Sequence, residues 1–306
     1  MCKLFTLLLL VLAAASVRAQ SVQALLHPDR PVPLNTRWTD PDDRSQHLLG
    51  AAGRSALEQN PFCDWFGYQY YAYTPDFAGL DTDALRTALQ SAEALVFMGT
   101  WCGDSQREVP RLYKVLDALG MPPERIRVIA LDYKKQGPMG EHAQQHVHHV
   151  PAIVLVKDGR ELGRITESPQ FSLEADLAQI LSGQPYAPKY IFSELLAPYI
   201  EAGPAALSAA LPKLMAQHRY KVRHVYELNT YANVLLNDGK DDLALMLLNT
   251  NTQLFPNEPL VYDRLASYYE RHSDKEKAVN CLQQGIKLAA DRSQRLQQRL
   301  QELAGK

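Results

Sequence analysis

Residues 94–110 read ALVFMGTWCGDSQREVP, and their order decides the fold class. Ala94 to Met98 is a wholly apolar run of strand length, the pattern of a strand buried on both faces. Gly99 to Gly103 makes a sharp turn, after which Val109, Leu112, Leu116 and Leu119 fall on one face of a helix. Where a buried strand turns at once into a helix, the first helical amides are unpaired and carry partial positive charge. The side chain at that point is Cys102, flanked by Trp101, Gly103, Asp104 and Ser105. A thiol so placed is favoured as thiolate, its nucleophilic form, while the Asp104 carboxylate works against this.

The same alternation continues on both sides. Tyr70 to Tyr73 reads as a strand, and Asp81 to Ser91 as a helix capped by Asp81 or Thr82. Ile126 to Leu131 is a second buried strand, and Gly140 to Val147 a short helix. Ala152 to Lys157 and Glu161 to Ile165 are strands joined by Asp158-Gly159, a hairpin signal. Ser172 to Leu181 closes with a helix. This order predicts an α/β domain over 68–187, a mixed sheet flanked by helices. Gly183 to Pro188 marks a boundary, and 188–306 reads as all-α. There Ala232, Gly239, Ala244, Leu248 and Pro256 are answered 34 positions later by Ala266, Ser273, Ala278, Leu282 and Ala290. Small residues at such positions let paired helices approach closely.

Upstream, Lys3, the apolar run Leu4 to Ala15 and Val17-Arg18-Ala19 predict a signal peptide over 1–19, with an uncleaved anchor as the alternative. The mature chain is therefore expected to be periplasmic or secreted, without a membrane span. Residues 20–67 read as an irregular lead-in, with Asp40, Asp42 and Asp43 in a solvated loop and the aromatics after Asn60 packing against the next domain. The net charge of −2 gives no sign of a nucleic-acid partner.

At Trp101-Cys102-Gly103, Pro110 and Val150-Pro151 the chain resembles the thioredoxin superfamily, over about residues 68–183. The stretch GTWCGDSQREVP resembles exported thioredoxin-like proteins of the Bacteroidetes type, and the 34-residue period resembles the tetratricopeptide (TPR) repeat. The resemblance implies a thioredoxin-like fold and a catalytic set of Cys102, Trp101, Ser105 and Pro151. Pro151 would be the cis-proline facing the cysteine, and Gly103, Asp104 and Val150 would contact substrate. Two departures matter: the family's resolving cysteine falls on Ser105, and its buried aspartate on Val96. Cys102 is then a lone thiol that forms a mixed disulfide and needs a second thiol for release. Ser105 is a candidate hydrogen-bond donor to it.

Cys63 is read either as a small buried hydrophobe or as a resolving thiol, and Cys281 as helix core. His142 and His146 share a helix face at i, i+4, a weak metal-site signal set against a solvated face. No cofactor is expected. Two functions compete: thiol–disulfide exchange or isomerisation on protein or peptide substrates, with a helper thiol reductant, and a redox-inactive module binding a protein partner through its TPR-like part. A metal carrier built on Cys102 and the histidines is a third, lesser reading.

Overall fold

The computed structural model describes residues 23–28, 32–289 and 293–305, with no side-chain description for residue 304. The segment expected as signal peptide, 1–19, lies outside the described residues, as does Ala290 of the repeat pattern. The chain divides into two compact units, Met1–Lys189 and Tyr190–Lys306.

The first unit is α/β. Its strands are β1 (Thr36–Thr39), β2 (Gln46–Ala52), β3 (Ala92–Met98), β4 (Ile126–Ala130), β5 (Ala152–Lys157) and β6 (Arg160–Thr166). Its helices are α1 (Arg54–Leu57), α2 (Cys63–Ala72), α3 (Thr82–Leu89), α4 (Gly103–Leu119), α5 (Glu141–Gln144) and α6 (Leu173–Leu181). The described strands form one mixed sheet in the order β1-β2-β4-β3-β5-β6. Only the β3–β4 pairing is parallel, which is why the long helix α4 must carry the chain back between them.

Strand β3 shows why an unbroken apolar run was needed. Ala94, Val96 and Met98 join the core that includes Val109, Leu112 and Leu116 of α4. Leu95 and Phe97 join a second core on the other face with Ile129, Val150 and Val154. The hairpin β5–β6 turns on Asp158 and Gly159, both at positive φ (51° and 71°), as a tight primed turn requires. Asp81 caps α3 by accepting the Ala84 amide at 3.0 Å.

Two expectations upstream are corrected. Tyr70–Tyr73 is not a strand, because Phe62 at the N-cap and Phe66 and Tyr70 within α2 recur every fourth residue and pack one face of the helix against the core. Phe66 stacks on Tyr70 at 6.1 Å and lies 5.9 Å from Tyr113 of α4. The lead-in is not irregular either. β1 and β2 form an antiparallel hairpin, and β2 pairs with β4 through Gly50, Ala51 and Ala52.

The second unit is helical: α7 (Ile191–Glu201), α8 (Pro204–His218), α9 (Tyr226–Asn237), α10 (Asp241–Leu254), α11 (Pro259–Arg271), α12 (Lys275–Ala289) and α13 (Gln294–Ala304). The recurring residues hold the pairs α9/α10 and α11/α12 together. Ala232, Ala244, Ala266 and Ala278 are fully buried. Gly239 and Ser273 occupy matching turns with φ of 72° and 59°. At the far end Leu296 of α13 packs against Leu282, and Arg299 pairs with Asp263 and Glu270. No described helix is long and apolar enough to cross a membrane.

Candidate functional site

The site sits where β3 gives way to α4. Cys102 is the N-cap residue of α4, with extended backbone, and its half-buried sulfur lies beside the first turn. Its S–H points at the Val150 carbonyl, 3.4 Å away. The Val150–Pro151 peptide is cis, and the loop entering β5 presents the Val150 carbonyl to the thiol. Cys102 and Val150, 48 residues apart in sequence, thus meet at one point, with Pro151 next along the chain.

The turn itself is built by Gly99, Trp101 and Ser105. A Cβ on Gly99 would come within 2.5 Å of the Trp101 ring, so only glycine lets the indole fold back over the strand end. Trp101 Nε1 donates to the Leu131 carbonyl at 2.9 Å, which fixes the ring. Ser105 is fully buried, and its Oγ accepts the Gly99 amide at 3.2 Å. Its observed part is therefore to tie the end of β3 to the start of α4.

Charge around the thiol is more balanced than the sequence suggests. Asp104 does not stand alone: Arg107 Nη2 lies 2.7 Å from its carboxylate, and Arg107 Nε lies 2.6 Å from Glu108. Lys135, which the motif gave no reason to select, places its ammonium 5.7 Å from the Trp101 ring centroid. Burial pulls the Lys135 ammonium below its ordinary value, and interaction with Cys102 thiolate, then Glu167 and Asp132, acts the other way. A half-buried cation thus sits by the Trp101 ring, close enough to interact with a Cys102 thiolate.

A further group missed in the sequence flanks the turn. Thr100 Oγ1 accepts the Leu48 amide at 3.1 Å and lies 3.3 Å from His47 Nδ1. His47 Nε2 lies 3.0 Å from the Tyr133 hydroxyl, and Tyr133 lies 5.0 Å from Trp101 and 5.4 Å from Trp38. Burial lowers the His47 pKa, opposed by Asp43 and Asp40. The result is a continuous aromatic surface, Trp38-His47-Tyr133-Trp101, leading to Cys102. Asp40 is buried at the hairpin turn, where its Oδ1 accepts the Asp42 amide at 2.7 Å, whereas Asp42 and Asp43 are exposed.

The remaining candidates are placed elsewhere or differently. Cys63 is neither buried core nor bonded to Cys102. It opens α2, half-exposed and free, with its S–H 3.2 Å from Asn60 Oδ1. His142 and His146 do not share a helix face, because α5 ends at Gln144 and His146 has a φ of 50°. His142 is buried and its Nδ1 accepts the Gly137 amide at 3.2 Å. His148 and His149 are buried with Nδ1 atoms 2.8 Å apart, and burial, then His148, holds His149 neutral. His142, His148 and His149 are thus buried rather than solvated, and His146 is half-buried. Among the described residues no group of three or more His, Cys, Asp or Glu side chains is placed to hold a metal ion. Compared with known proteins, the chain matches no family model and no curated protein.

Proposed function

We propose that this chain is an exported, thioredoxin-like protein that carries out thiol–disulfide exchange or isomerisation on protein substrates through the single thiol of Cys102. The observation that carries the reading is the position of that sulfur: half-buried at the N-cap of α4 and against the Val150 carbonyl.

The Cys102 thiolate attacks one sulfur of a substrate disulfide. A Cys102–substrate disulfide forms, the substrate S–S bond breaks, and the second substrate sulfur leaves as thiolate and takes up a proton. Because Ser105 stands where a second thiol would resolve this adduct, release falls to another substrate thiol or to a small thiol reductant. In the first case the substrate is isomerised with no net oxidation or reduction. In the second the reductant is oxidised and the substrate is reduced. The aromatic surface from Trp38 to Trp101 offers apolar side chains a place to lie while an extended substrate segment runs along Val150 and Pro151.

Recovery of activity by scrambled ribonuclease tests this. Wild-type chain should accelerate it, Cys102→Ser should fall to the uncatalysed rate, and Cys63→Ser and Cys281→Ser should retain the acceleration. Full acceleration by Cys102→Ser would overturn the exchange reading. The paired helices of α9–α12, with their 34-residue recurrence, favour a second reading in which the chain holds a protein partner on TPR-like repeats and Cys102 is incidental.

A further inference from the structure

The sheet face that carries Phe97 and Ile129 also packs against Leu25 and Leu26 of the N-terminal segment. Between that segment, β2, β4 and the turn leading into α5 lies a cavity of about 320 Å³. Its walls are almost all carbon, with Leu25, Pro28, Leu49, Ile129 and Met139 among them. Two charged side chains reach it, Arg127 and Glu141.

The two are in different states. Glu141 is already engaged, since its Oε2 accepts the Met139 amide at 2.9 Å. Arg127 is not: its Nε is buried and has no hydrogen-bond partner among the described residues. Arg127 sits two residues before Ile129 on β4, so both side chains project to the same side of the sheet, into the cavity. Burial lowers the Arg127 pKa, and Glu141 only partly opposes this. An Nε–H withdrawn from water without an acceptor costs free energy that a ligand oxygen would offset.

The walls and the cation together define the missing partner. Guanidinium pairs best with a carboxylate, through two parallel N–H donors. Glu141 on the same wall repels negative charge, so a singly charged carboxylate is favoured over a doubly charged phosphate ester. The volume holds roughly ten water-sized groups, the size of a medium-length alkyl chain with its head. We propose that this cavity binds a medium-chain aliphatic monocarboxylate, its head on Arg127 and its tail along Leu25, Pro28, Ile129 and Met139. The proposal does not depend on the chemistry of Cys102.

Calorimetric titration of the full-length chain with decanoate, decanol and decylamine tests it. Decanoate should bind saturably at one site, and decanol and decylamine at least about tenfold more weakly. Arg127→Gln should lose about tenfold or more in decanoate affinity, while Arg127→Lys should keep part of it. Absence of saturable decanoate binding, equal binding of decanol, or unchanged decanoate affinity in Arg127→Gln would each overturn the proposal. Should Arg127→Gln fail to fold, as judged by its melting curve, Ala24→Trp decides the matter by filling the cavity from its exposed wall. Loss of decanoate binding there supports the site, and unchanged binding overturns it.

Discussion

Cys102 and Cys281 are both half-buried sulfurs on helices, one in each unit, and their surroundings could hardly differ more. Cys281 lies in the middle of α12, where every backbone amide is already spent within the helix, and it packs between two apolar clusters. Burial alone pushes its thiol up to about 11, with no cation to oppose it. Cys102 stands at the open end of α4, with a carbonyl as hydrogen-bond partner and with Lys135 close enough to interact with its thiolate. Two cysteines of the same exposure class thus differ because one stands at an open helix end among polar groups and the other is enclosed by apolar side chains alone.

The contrast extends to how each unit treats buried charge, and the largest expected effect lies in the helical one. Glu227 of α9 is almost fully buried and accepts the Ser193 amide at 2.8 Å. Burial raises its pKa from 4.5 to about 7. The folded form therefore binds the proton more tightly than the unfolded chain. The stability this gives is complete below 4.5 and is lost as the pH rises through about 7. Glu227→Gln keeps the acceptor for Ser193 and should make the helical unit more stable at pH 8, by roughly 3 kcal/mol, with little gain at pH 4. Trp38, Trp65 and Trp101 all lie in the α/β unit. Tryptophan emission therefore follows that unit during urea unfolding, while far-ultraviolet circular dichroism is weighted towards the helices. The expected change is in the dichroism transition; an equal shift in both signals, or none, would break the contrast.

A smaller effect belongs to the thiol itself. Lys135→Met removes one half-buried charge, worth about 1 kcal/mol, and should slow alkylation of Cys102 about fivefold at neutral pH. Lys135→Arg should restore most of the rate. Stopped-flow or mass-spectrometric alkylation kinetics read this directly, and an unchanged rate in Lys135→Met would remove the lysine from the account.

What could be read in the sequence follows the same line between local and distant. The β3–turn–α4 unit was legible because the apolar run and the single helix face lie within 26 residues, Ala94 to Leu119. Asp158-Gly159 was legible because a two-residue turn leaves little choice of residue. Lys135 was not, because only the return of the chain after β4 brings it to Trp101. His47, Thr100 and Tyr133 were hidden for the same reason, 53 and 86 residues separating His47 from its two partners. The β2 strand was missed because Gly50, Ala51 and Ala52 have weak strand preference, and pairing with β4 decides their conformation. In α2 the signal was present: the four-residue spacing of Phe62, Phe66 and Tyr70 outweighs the strand preference of the tyrosines. The His142–His146 spacing carried meaning only for a helix long enough to contain both, and α5 stops at Gln144.

The central claim is that Cys102 is the nucleophile of this chain, and its most direct test compares the described thiols in one sample. Folded wild-type chain is pulsed with iodoacetamide at pH 7, quenched with acid, and the modified fraction at Cys63, Cys102 and Cys281 is read by peptide mass spectrometry. Cys102 should be modified first, at least about tenfold faster than Cys281. Labelling of Cys102 no faster than Cys281, or later than Cys63, would contradict the account.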